Sequence, residues 1–188
     1  MLVMREIERG NLTLETNLQI TEEDIDPISS SLYASPGEYF TVQELLHAML
    51  AMSDNTAFAV FSRVIDWNDW ETLSDYLNYY DISTQIQGTE QNQFYSVTPK
   101  SNAHLFTSLY LSTVLEPEHS EYILRELTNT TFDIKTLAGI PQNITIAQKF
   151  GNYYSGTEEY FHSCGIMYIG EGRFFYCIMT KGQSSEEA

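Results

Sequence analysis

Basic residues are scarce in this chain. Lysine and arginine number 9 against 26 aspartates and glutamates, a net charge of −17 that excludes nucleic-acid binding as the working reading. The acids are spread along the chain rather than blocked, as on a solvated surface. Cysteine is nearly absent: Cys164 and Cys177 alone cannot build a disulfide framework or a zinc cluster. The four histidines, His47, His104, His119 and His162, lack ligand spacing, so no metal site is expected. No apolar run approaches the roughly 20 residues a membrane helix needs. The opening "MLVMREIERGNL" meets charge at Arg5 and Glu6, so neither a membrane-spanning segment nor a signal peptide is read from it. Internal repeats and low-complexity linkers are missing as well.

What is present suits a packed interior. The chain has 188 residues, 43% of them apolar, enough for one domain or two small lobes sharing a core. Residues 1–9 read as a short helix with Leu2, Val3 and Ile7 on one side, ended by Gly10. Residues 11–40 read as loop, punctuated by Pro27, a serine run and "SPGE". A helix then opens on Thr41 as N-cap, with Glu44 three residues on and Phe40 placed to staple onto Leu45. Its apolar stripe is Leu45, Leu46, Met49 and Leu50. The polar interruption Ser53-Asp54-Asn55-Thr56 follows, then a second stripe of Ala57, Phe58, Phe61, Val64 and Ile65. A third helix starts near Asn68, with Trp70, Leu73 and Leu77 on its apolar side. Residues 81–97 are polar and aperiodic, a long loop of the kind that is often functional. Helix resumes at Thr98 and Pro99, and another covers 118–128.

From about residue 143 the period changes from helical to alternating. In "NITIAQKFG", Ile144, Ile146 and Gln148 share one face and Thr145, Ala147 and Lys149 the other. "FHSCGIMYI" and "RFFYCIMTKG" are aromatic and β-branched, with "GEG" between them as a hairpin signal. The predicted class is α+β: a helical portion over 1–142, then a three-stranded antiparallel meander over 143–182. Residues 183–188 read as the start of a truncated C-terminal helix. Cys164 and Cys177 lie directly opposite if the turn is Gly170-Glu171, and diagonally if it is Glu171-Gly172. A cross-strand disulfide and two buried thiols are both open, with free thiols the expected state.

Taken alone, Ser53 to Thr56 reads as a helix end followed by an N-cap, and Lys149 as a strand charge reaching for water. Together they carry a resemblance. "TVQELLHAMLAMSDNTA", "SVTPKSNAHLF", "LAGIPQNITIAQKFGNYY" and "HSCGIMYIGEGRFFYCIMTKG" resemble successive blocks of the penicillin-recognising serine hydrolases, nearest the class A β-lactamase branch. That family is marked by S-x-x-K, S-D-N and K-T-G; here S-D-N is Ser53 to Asn55, and K-T-G becomes Lys149-Phe150-Gly151. The resemblance implies catalytic roles for Ser53, as proton shuttle, and Lys149, as the source of positive potential. It implies substrate contacts for Asn55, Phe150 and Gly151, and a bracing role for Asp54. The implied partner is a peptide-like or β-lactam small molecule, without a cofactor, at an extracellular or cell-envelope location. The oligomeric state is left open.

The departures matter equally. No S-x-x-K occurs in the 188 residues, "SVTPK" having one residue too many. The chain therefore resembles an internal portion of a larger domain, and is expected not to turn over substrate by itself. The acidic loop of class A enzymes has no clean counterpart in residues 81–97, where Asp81 and Glu90 are the acids. Phe150 removes a hydroxyl that could bind a substrate carboxylate. These points favour a penicillin-binding-like hydrolase over a β-lactamase, or a noncatalytic relative serving as a binding or cell-surface scaffold module.

Overall fold

The computed structural model describes residues 1–65, 98–154, 156 and 158–182. The expected third helix from Asn68, the loop over 81–97 and the helix start at 183–188 lie outside the described residues.

The first helix, α1 (Leu2–Glu8), buries Val3 and Met4. Residues 11–40 are more ordered than expected. Strand β1 (Asn17–Gln19) pairs antiparallel with β2 (Tyr39–Thr41), and a 3₁₀ turn spans Glu22–Asp24. Strands of three residues carry no readable alternation, and their pairing is decided by a partner distant in sequence.

Helix α2 (Val42–Ala51) opens on the predicted capping box. Thr41 Oγ1 accepts from the Glu44 N–H at 3.2 Å, and Glu44 Oε2 accepts from the Thr41 N–H at 2.8 Å. Leu45 and Leu46 are buried, with Met49 and Leu50 packed at the core margin. Helix α3 (Asn55–Val64) corrects the expected stripe. Thr56, Ala57, Val60 and Phe61 face inward, whereas Phe58 is 56% and Val64 37% exposed. The N-cap at Asp54 sets the helix rotation, so the buried positions run i, i+3, i+4 from Ala57 and leave Phe58 turned outward.

Helix α4 (Pro99–Tyr110) is capped by Thr98, whose Oγ1 accepts from the Ser101 N–H at 3.1 Å. Helix α5 (Pro117–Thr128) follows, then α6 (Ile134–Leu137), a single turn that periodicity does not reveal.

Strands β3 (Thr145–Tyr154), β4 (Glu159–Ile169) and β5 (Gly172–Lys181) form the expected antiparallel meander in the order β3-β4-β5. Ile169 pairs with Gly172, so Gly170 and Glu171 make the turn and Cys164 stands directly opposite Cys177. The two are joined in a disulfide, which corrects the expectation of free thiols. The register supplies the reason, since directly opposed residues project from the same face of the sheet.

Helix α4 packs against β4 and β5, and α5 packs against β3. Ile146, Ala147 and Gln148 are all buried, so β3 is covered on both faces. A Cβ placed at Gly165 would lie 2.4 Å from the Ala147 carbonyl oxygen, so the strands meet here only because position 165 lacks a side chain. Gly165→Ala is therefore expected to lower stability by about 2 kcal/mol, measured as a shift of the urea midpoint at unchanged slope.

Candidate functional site

The site begins where α2 stops. Ser53 takes a φ of +58°, a left-handed conformation that usually falls to glycine or asparagine at a helix end. A non-glycine residue there costs about 1–2 kcal/mol, so neighbouring interactions must hold the turn. Asp54 supplies them. It is 2% exposed, and its Oδ1 accepts from the Ala57 N–H at 2.7 Å, capping α3. Its Oδ2 accepts from the backbone N–H groups of Ser31 and Leu32 and from the hydroxyls of Ser30 and Ser31. Burial opposes its ionisation most strongly. The summed bonds from Ala57, Leu32 and Ser31 outweigh that and hold its pKa below the ordinary aspartate value.

A second carboxylate braces the next residue. Asp26 Oδ1 accepts from the N–H groups of Ile28 and Ser29, and Oδ2 accepts from Asn55 Nδ2 at 3.2 Å. The Asp26 N–H donates to Thr56 Oγ1, and the Asn55 N–H donates to the Ser29 carbonyl, both at 3.0 Å. A carboxylate only accepts, so the amide nitrogen of Asn55 must face Asp26, which leaves Oδ1 as its other end.

Lys149 arrives from β3, 96 residues along the chain from Ser53. Its Nζ donates to Ser53 Oγ at 2.5 Å and to the Phe150 carbonyl at 2.7 Å, and lies 4.8 Å from the Phe150 ring centroid. Burial pushes its pKa down to about 8, because desolvation disfavours the ammonium. None of the ion pairs among the described residues involves it. The Phe150 ring stacks on Phe132 at 5.0 Å, so this residue contributes its carbonyl to Lys149 and its ring to an aromatic cluster. Gly151 pairs with His162 across β4, and a Cβ built on it meets nothing within 4 Å.

Beside Lys149 a cleft opens between α4 and the sheet, lined by Asn102, Phe106, Gly151, His162 and Met179. His162 Nδ1 is buried and has no hydrogen-bond partner among the described residues. No cluster of three metal-ligating side chains occurs among the described residues, and none of their helices is long and apolar enough to cross a membrane.

Of the residues singled out from sequence, Ser53 and Lys149 meet directly. Asp54 and Asn55 flank them, and Phe150 and Gly151 continue from Lys149 along β3. Sequence reasoning assigned no site role to Asp26, Asn102 or His162, and read Thr56 only as part of the polar interruption. It treated the serine run at 29–31 as punctuation, although two of those hydroxyls bind Asp54.

A tight Ser-Asp-Asn turn between two helices, facing a lysine on the first strand of an antiparallel meander, defines a penicillin-recognising serine hydrolase fold. Solved structures share it. The penicillin G acyl-enzyme complex of a mutant PBP-A superposes with a TM-score of 0.79 at 20% identity, covering 98% of this chain and 69% of that one. A β-lactamase from Sphaerobacter thermophilus gives 0.81 at 17% identity, covering 96% and 70%. In sequence, β-lactamase VEB-1 of Pseudomonas aeruginosa is 22% identical over 201 residues, 98% of this chain and 67% of that protein. The profile of the beta-lactamase enzyme family matches residues 1–188, and the chain belongs to that family.

Two outcomes follow from the charges. The depressed pKa of Asp54 means that its stabilisation is complete above the ordinary aspartate pKa of about 3.9 and is lost as pH falls through the folded value. Asp54→Asn should lower stability at pH 7 by about 3 kcal/mol and flatten the acid limb of a stability–pH profile. For Lys149 the folded pKa lies below the unfolded one, so the unfolded chain binds more protons between about pH 8 and about 10.4. Stability should climb across that window. Lys149→Met should melt higher than the parent at pH 7, by about 2 kcal/mol, with the gap closing toward pH 10.5.

Proposed function

We propose that this chain forms the proton-shuttle and substrate-cradle part of a serine acyl-transfer site acting on a peptide-like or β-lactam carbonyl. The observation that carries this reading is the 2.5 Å hydrogen bond between Lys149 Nζ and Ser53 Oγ. Two residues so far apart in sequence meet in a turn whose geometry is held by two carboxylates, and chance surface contacts are not built that way. Ser53 accepts the proton given up at the start of acylation and passes it to the leaving nitrogen. Lys149 lowers the energy of the hydroxyl's anionic form during the transfer and raises the local potential for an anionic substrate group. Asn55, oriented by Asp26, hydrogen-bonds the substrate amide. Asp54 keeps the turn in place without touching substrate.

The acylated serine of this reading is not among the 188 residues, which contain no S-x-x-K. The fold relative solved as an acyl-enzyme complex with penicillin G, a mutant of PBP-A, supports the substrate class. Family members typically work outside the cytoplasmic membrane, which supports an extracellular or envelope location. A noncatalytic reading draws on Phe150: where K-T-G carries a hydroxyl, this chain has a ring committed to Phe132. On that reading the domain binds ligand or partner without forming an acyl bond.

A fluorescent penicillin incubated with the full-length protein separates the two. Acyl transfer predicts a covalent band that survives denaturation. Ser53→Ala and Lys149→Ala, each with an unchanged circular dichroism spectrum, should reduce its rate of formation by about 100-fold, in the range that removing one proton-transfer group costs. A protein that never labels supports the noncatalytic reading.

A further inference from the structure

The row of the sheet that holds Lys149 continues through both cysteines: Lys149 pairs with Cys164, and Cys164 pairs with Cys177. We infer that the Cys164–Cys177 disulfide is a thiol–disulfide exchange site, opened at Cys177 by low-molecular-weight thiols such as glutathione, with Cys164 released as a thiolate opposite Lys149. This goes beyond the proposed function, because it needs neither Ser53 nor an acyl donor.

Three features carry it. The first is register. Residues directly opposed across antiparallel strands project from one face with Cβ atoms about 5 Å apart. Lys149 and Cys164 therefore share the face on which the cleft opens, and both line it. A neighbouring ammonium lowers a thiol's pKa, and a leaving thiol departs faster as its pKa falls. With a pKa of about 8, Lys149 is mostly cationic at neutral pH. The lining contains no carboxylate to offset that charge, and His162, two residues from Cys164 along β4, is the other titratable side chain on it. The second feature is the unequal burial of the two cysteines. Cys164 is 4% exposed, whereas Cys177 on β5 is only partly buried. An incoming thiolate meets Cys177 first, so the buried partner is the one that leaves. The third is the ladder around the bond. β4 and β5 pair continuously from Tyr160 opposite Lys181 to Ile169 opposite Gly172, with paired residues on both sides of the disulfide. The strands stay joined when the S–S bond opens, so exchange does not require the fold to come apart.

The step balances as an exchange. The glutathione thiolate bonds to Cys177 Sγ, the Sγ–Sγ bond breaks, and its electron pair leaves on Cys164 Sγ. One disulfide is consumed and one is formed, so no external oxidant or reductant enters. The cleft lining, which holds no acid, gains a thiolate opposite Lys149. Return attack by Cys164 on the mixed disulfide expels glutathione and restores the original bond.

The test incubates the folded chain with glutathione near neutral pH, quenches with acid and alkylates free thiols with excess N-ethylmaleimide. Trypsin then separates the two cysteines by its cut after Arg173. The expected products are glutathione on Cys177 and maleimide on Cys164, with the circular dichroism spectrum retained and a rate that urea below the unfolding transition does not change. Lys149→Met should slow the exchange by about 10-fold, whereas Lys149→Arg keeps the cation and should exchange at close to the parent rate. In denaturing guanidinium all three chains should react alike, which ties the difference to the folded register. Glutathione on Cys164, exchange that rises in step with urea-induced loss of stability, a parent rate for Lys149→Met, or an Arg variant as slow as the Met variant would each overturn the inference. Exchange is read as mass on cysteine peptides and acyl transfer as penicillin labelling, so either reading can fail while the other stands.

Discussion

Of the two carboxylates that hold the turn between α2 and α3, the buried one, that of Asp54, collects donors from both sides. On one side it satisfies the Ala57 N–H at the start of α3; on the other it takes the backbone and hydroxyl donors of residues 30–32. An anion buried to this degree is tolerable only when its lone pairs are filled by well-placed donors. Satisfying it therefore dictates where two separate segments of chain must lie. The left-handed Ser53, the rotation of α3 and the approach of Asp26 to Asn55 all follow from that placement. Charged-to-backbone hydrogen bonds thus position a site whose reactive groups are otherwise few.

The other half of the site rests on desolvation. In a chain with a net charge of −17, the described residues lining the cleft beside Lys149 are Phe106, Phe150, Met179, Asn102 and His162 among others, with no acid among them. Field and burial act in opposite senses on such a residue: the global charge favours the ammonium, local burial disfavours it. Burial wins, because salt and water screen distant surface charge while the cost of removing an ammonium from water is local. The consequence is a lysine whose ammonium form is less favoured than that of a lysine in water.

Legibility in the sequence varied with the range of the interaction that decides each element. The start of α2 was readable residue by residue, because a capping box is a contact between positions three apart. Thr98 and Pro99 at the start of α4 were readable for the same reason. The meander was readable from alternation and from a Gly-rich turn, though two turn registers remained open until Ile169 was found opposite Gly172. The β1–β2 pair and the single-turn α6 were not readable, since both depend on partners remote in sequence. Phe58 and Val64 were placed on the wrong face because the apolar residues of α3 exceed what one face can bury.

The sequence by itself determined that helices precede a three-stranded meander, the caps that start α2 and α4, and the family blocks that contain Ser53, Asn55 and Lys149. Those are local properties, written in propensity, period and motif. Only the tertiary structure decided that Ser53 Oγ meets Lys149 Nζ, that Asp26 turns the Asn55 amide, that Cys164 bonds Cys177 and that the lysine is stripped of water. Each of these is a distance between residues well separated along the chain, and a proton's position depends on such distances and on burial, which exist only once the chain has packed.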